Sequence, residues 1–168
     1  MSLWGLYPFG GGAEIGHIGA YGERESTIVL EAVLEAQRHL ERNGEKTIIT
    51  REMDEYISAS KRKGIIKDSE IEILVIFRMN SSDDINIKGV KVAYVNRTGD
   101  MEYLAQLIKC EIQSELNTAD CGVINESNLY KDINCNAVIV YGEYISNIKV
   151  MENFDSKKYG YMVAKACL

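Results

Sequence analysis

A single proline stands among 168 residues, and no stretch of about 18 apolar residues occurs. The first scarcity leaves helices and strands unbroken; the second excludes a membrane-spanning helix. Basic charge is also short. Nineteen Lys and Arg face 25 Asp and Glu, a net charge of −6. That balance argues against a nucleic-acid partner, which needs a basic face to neutralise phosphates. The only cationic run, Ser60-Lys61-Arg62-Lys63, reads as a solvated face. Four cysteines, at 110, 121, 135 and 167, form no C-x-x-C pair and no zinc-finger spacing with either histidine. They read as reduced thiols of a cytosolic protein. The first residues carry no basic leader and no apolar signal segment, so the expected location is the cytoplasm, unless a lysis system or larger assembly carries the chain out.

What is present is ordinary for a globular chain: 46% hydrophobic and 26% charged residues, at a length that suits one core and one domain over residues 1–168. Residues 5–22 are rich in glycine and read as loop after a short strand. From Ser26 to Asn43 apolar residues fall at Val29, Val33, Ala36 and Leu40, a helical stripe that Ser26 can cap and Gly44 can end. Thr47-Ile48-Ile49-Thr50 reads as a strand, residues 55–70 contain a short helix, and Ile73 to Phe77 is a strand buried on both faces. Val90 to Val95 alternates as a strand should, and Asp100 can cap a helix carrying Leu104, Ile108 and Ile112. Ala137 to Tyr141 is another buried strand, and Lys157 to Ala166 closes the chain as a helix. The alternation predicts a layered α/β domain with a mostly parallel twisted sheet of about six strands flanked by helices. In such sheets ligands bind beyond the carboxyl ends of the strands, so the loops after Leu6, Phe77 and Tyr141 should meet at one rim.

The glycine-rich stretch lacks the Lys-Ser/Thr of a P-loop, and its first glycines lie too far from the helix for a dinucleotide fingerprint. Nucleotide or phosphate binding there is the weaker reading. The run Tyr7-Pro8-Phe9-Gly10-Gly11-Gly12, then Glu25, Thr50-Arg51, Arg62, Ile76-Phe77-Arg78-Met79-Asn80, Gly89-Val90, Asp120-Cys121-Gly122-Val123 and finally Ala137 to Tyr141 with Glu143-Tyr144-Ile145-Ser146-Asn147 carries a stronger pattern. In order and spacing it resembles the zinc-dependent N-acetylmuramoyl-L-alanine amidases, which cleave peptidoglycan between the sugar and its stem peptide. The resemblance runs from about Leu3 to Ala166 and implies that family's α/β fold and a bacterial or phage source.

The resemblance also implies a zinc held by His, Glu and His, with a catalytic Glu on the last strand. Here the first His position is Gly10, the Glu is kept as Glu25, the second His is Arg78, and the catalytic Glu is Tyr141. Glycine offers no ligand, arginine is a fixed cation, and a tyrosine hydroxyl is a poor base near neutral pH. Glu143, two residues on, should share the face of Tyr141. His17 lies in the loop near the rim, and His39 should face solvent. The expectation is therefore an amidase-like pseudoenzyme without zinc or catalytic residues, in which Arg78 fills the metal position and pairs with Glu25. A groove of Glu25, Arg78, Asn80, Tyr141 and Asn147 is the place for retained affinity. The expected partners are peptidoglycan fragments or another protein, with no nucleic acid and no membrane; a homo-oligomer stays open. The alternative is an active cell-wall amidase with an atypical site.

Overall fold

The computed structural model describes residues 2–168. The chain runs β1 (Leu3–Pro8), α1 (Glu25–Arg42), β2 (Lys46–Ile49), α2 (Ala59–Asp68), β3 (Ile73–Asn80), β4 (Val90–Val95), α3 (Glu102–Leu116), β5 (Asp120–Asn125), β6 (Asn136–Tyr144), α4 (Ile148–Asn153) and α5 (Ser156–Cys167). Six strands form one sheet in the order β2-β1-β3-β6-β4-β5. Neighbours are parallel except β4 with β6. The sheet is thus the mostly parallel six-stranded one expected, with β4 and β5 reversed.

The strands alternate between two apolar layers. Val75, Phe77, Met79, Val138 and Val140 face a core shared with Val29, Val33 and Ala36 of α1, Ile108 of α3 and Met162 of α5. Leu74, Ile76, Ala137 and Ile139 face the other side, where Ile66 of α2 and Ile133 pack. Helices α1 and α5 approach closely because Gly160 sits against the carbonyl of Ala32, where a Cβ would collide.

The start of α1 differs from the sequence expectation. Ser26 does not cap the helix; it is buried in the first turn, with Arg24 at the cap position and no side-chain cap bond. The glycine-rich loop does the capping with its own carbonyls: Glu25 N–H donates to His17 O at 2.9 Å and Ser26 N–H to Ile15 O at 3.1 Å. Asp100 likewise precedes the cap of α3, which is Met101, though its carboxylate accepts from Glu102 N–H at 3.0 Å. No strand signal marks β5, an exposed edge interrupted by Gly122 at φ +94°, and no helix signal marks the short α4. No helix among the described residues is long and apolar enough to cross a membrane.

Candidate functional site

Parallel pairing carries β1, β3 and β6 to one rim. Pro8 lies beside Phe77, and Arg78 beside Tyr141. Helix α1 begins below this rim, so Glu25 meets the end of β3. Its side chain is fully buried. One carboxylate oxygen accepts from Met79 N–H at 2.8 Å and Arg78 Nε at 3.2 Å; the other accepts from His17 N–H at 3.1 Å. Glu25 therefore has three donors and one cation. The expected Glu25–Arg78 pair is present.

Arg78 is 21% exposed and lies over the Phe9 ring, its guanidinium carbon 3.7 Å from the centroid. On the other side the Tyr141 ring is 5.6 Å away. Burial pulls the Arg78 pKa down, but the Glu25 charge and its hydrogen bond outweigh it and raise the guanidinium above its ordinary value. Beneath, the buried Tyr159 hydroxyl bonds the carbonyls of Arg78 at 2.9 Å and Val140 at 3.0 Å, tying β3 to β6.

The loop from β1 is held by Arg51. This buried guanidinium donates to the carbonyls of Pro8, Phe9, Met53 and Ser26 at 2.9–3.3 Å. Gly10, at φ +75°, has no room for a side chain, since a Cβ would strike the Glu14 carbonyl. The loop also uses its own donors. Gly11 N–H bonds Glu14 O at 2.7 Å, and Gly12 N–H bonds the Asp54 carboxylate at 2.8 Å. Arg62 lies 4.6 Å over the Tyr7 ring.

The structure thus gathers Glu25, Arg78 and Tyr141, with Gly10 in the adjoining loop. Glu143 is not with them. Two steps along β3, from Arg78 to Asn80, match three along β6, from Tyr141 to Tyr144. That bulge breaks the alternation. Glu143 turns to the opposite face, buried, and accepts from Gly89 N–H at 2.7 Å and Thr118 Oγ at 2.6 Å. Burial raises its pKa despite these bonds. Asn147 joins it there: it caps α4 through Val150 N–H at 3.1 Å, donates to Ile87 O at 3.3 Å, and lines the same cavity of about 700 Å³. Asn80 lies at the bulge, where its amide oxygen accepts from Ser81 N–H at 2.9 Å. His17 is exposed, and only its backbone touches Glu25. His39 does not simply face solvent; it is half-buried, edge-on to Tyr161 at 4.8 Å.

Phe9 and Arg51 stand in the motif run with no role that spacing reveals, and Tyr159 stands outside it. A lone Phe before glycines and an Arg after a strand carry no local signal of a stack or a clamp. Among the described residues no three His, Cys, Asp or Glu side chains converge.

The N-acetylmuramoyl-L-alanine amidase family model, Amidase_3, matches residues 8–168. The chain belongs to that family. A Buchnera aphidicola protein named "Putative N-acetylmuramoyl-L-alanine amidase" is 34% identical over 91 residues, which are 52% of this chain and 38% of that protein. This chain therefore matches well under half the length of that relative. The N-acetylmuramoyl-L-alanine amidase AmiC2 of Nostoc punctiforme superposes with a TM-score of 0.84 at 21% identity, over 98% of this chain and 92% of that one. The CwlD amidase of Clostridioides difficile, solved with the GerS lipoprotein, gives 0.85 at 23% identity, over 99% and 94%. The catalytic domain of CwlV from Bacillus (Paenibacillus) polymyxa gives 0.85 at 19% identity, over 99% and 93%. These likenesses place the fold among amidase domains.

Proposed function

We infer that this chain is a pseudoenzyme of the amidase family, which binds, braces or regulates instead of hydrolysing. The observation that carries this reading is the Arg78 guanidinium, 3.2 Å from the buried Glu25 carboxylate and stacked on Phe9. The family's zinc does not fit this donor set. Zinc wants neutral imidazole or anionic ligands in a tetrahedral arrangement. Only Glu25 of the three ligand positions qualifies, and its oxygens already accept three N–H donors. A divalent cation there would meet a fixed positive charge. Gly10 can present no ligand and, in its present backbone, cannot be replaced by one. The base position holds Tyr141, and Glu143 is turned to the far face.

The remaining rim suits recognition. Peptidoglycan fragments are the first partner class, because a rim can keep its shape after losing its catalyst. A protein partner is the second; the related CwlD amidase was solved with a lipoprotein bound. Phosphate binding at the glycine-rich loop has less support, since the N–H groups of Gly11, Gly12, Glu25 and Ser26 all have partners within the protein.

The test is incubation of the purified chain, with added zinc, on intact peptidoglycan sacculi. Cosedimentation without release of stem peptides supports the reading. Catalytic release of stem peptides overturns it and restores the active-amidase alternative.

A further inference from the structure

Below the rim, on the face away from α1, helix α2 and residues 130–135 border a cavity of about 640 Å³. That volume lies within the range of about 300–1,000 Å³ typical of small-molecule sites. Its floor and walls are Ile66, Ile71, Leu74, Ile76 and Ile133. Two guanidinium groups line it, and each is seated on an aromatic ring: Arg62 on Tyr7 at 4.6 Å and Arg78 on Phe9 at 3.7 Å. Arg78 uses Nε for Glu25, which leaves its two terminal nitrogens without a protein acceptor among the described residues. Arg62 has no side-chain hydrogen bond or ion pair among them at all. Arg78 is 21% exposed and Arg62 is half-buried, so neither guanidinium is sealed from solvent, and both residues line the cavity.

The charge inventory narrows the ligand. Four cations line the cavity, Arg62, Lys63, Lys67 and Arg78, against Glu70 and Asp132 in its wall and Glu25 behind Arg78. Lys63 is paired with Asp132 at 3.2 Å, linking α2 to the 130–135 segment. One positive charge is left over, in a protein whose net charge is −6. A planar guanidinium fork matches a carboxylate, and stacking on a ring holds the fork in place before the ligand arrives. We propose that this cavity is a binding site for an organic monoanion, a carboxylate carried on an apolar body, held by Arg62 and the free end of Arg78. The apolar body lies on the isoleucine floor. This site goes beyond the amidase-like reading in Arg62 and the floor, and shares Arg78 with it.

The test uses the full chain and four probes: 4-phenylbutyrate, its neutral counterpart 4-phenylbutan-1-ol, acetate and phenyl phosphate. Affinity is read by calorimetry, and location by the methyl NMR signals of Ile66, Ile71, Ile76 and Ile133. The expected result is saturable one-to-one binding of 4-phenylbutyrate with shifts at those methyls. The alcohol, acetate and phenyl phosphate should each bind about tenfold weaker or less. Arg62→Gln, which breaks no protein ion pair but loses the contact with the Tyr7 ring, should weaken 4-phenylbutyrate about tenfold while lowering the thermal melt by no more than about 4 °C. Four results overturn the proposal: no saturation in the millimolar range, equal binding of the alcohol, phenyl phosphate as tight as the carboxylate, or an Arg62→Gln variant that binds as the parent does.

Discussion

Replacing Arg78 by methionine removes the cation from Glu25 and keeps an unbranched stem over Phe9. Breaking a buried ion pair from one side costs about 3–5 kcal/mol, because the other charge stays behind without its partner. Two features reduce that here. Glu25 keeps the N–H groups of Met79 and His17, and Arg78 is 21% exposed, so water can approach. The expected loss is about 2–3 kcal/mol. At about 2–4 °C per kcal/mol for a chain of this size, the melting temperature should fall by about 4–12 °C. Glu25→Gln should cost less, about 1–2 kcal/mol, since the guanidinium left behind can reach water. The double variant should then recover about 1–2 kcal/mol relative to the sum of the singles. Urea unfolding of all four proteins at pH 7 measures the cycle. An Arg78→Met loss under about 0.5 kcal/mol, or simple additivity within that margin, would refute the claim that the pair replaces a metal as the fastening of this rim.

Arg51→Met should cost about 3 kcal/mol or more in urea unfolding, and Arg51→Lys should not rescue it, because one ammonium cannot serve the carbonyls of Pro8, Phe9, Met53 and Ser26 together. Glu143 is held above its unfolded pKa by burial, so the folded state takes up its proton first as pH falls. Its contribution is therefore greatest at acid pH and is lost as pH rises through the folded value. Glu143→Gln should flatten the stability–pH curve above about pH 4.3, and an unchanged slope would contradict the burial argument. Among the thiols, exposed Cys110 should alkylate well ahead of Cys167, whose pKa burial pushes up to about 12; mass spectrometry of a timed iodoacetamide reaction reads the order.

Most of the fold was legible because its strands are continuous apolar runs. Leu74 to Phe77 and Ala137 to Val140 are buried on both faces, and such runs announce a parallel sheet. β5 was silent because an exposed edge strand with a glycine at positive φ has no apolar run to show. The Glu25–Arg78 pair was legible for a different reason: the spacing of the family motif brought the two residues together, and charge did the rest. Glu143 was misplaced because a bulge inserts one residue, and no local pattern in Tyr141-Gly142-Glu143-Tyr144 signals it. The Ser26 cap failed likewise, since the carbonyls that cap α1 come from Ile15 and His17, and backbone acceptors leave no mark in a sequence. The cation–ring pairs of Arg62 with Tyr7 and Arg78 with Phe9 depend on tertiary contact and could not be read from spacing.

The central claim is that a guanidinium occupies the role of the family's zinc. Metal analysis of the purified chain tests it most directly. The protein is equilibrated with excess zinc at neutral pH, desalted and measured by elemental mass spectrometry. The account predicts under about a tenth of an equivalent of zinc per chain. Close to one equivalent, lost when Glu25 is replaced by glutamine, would contradict it.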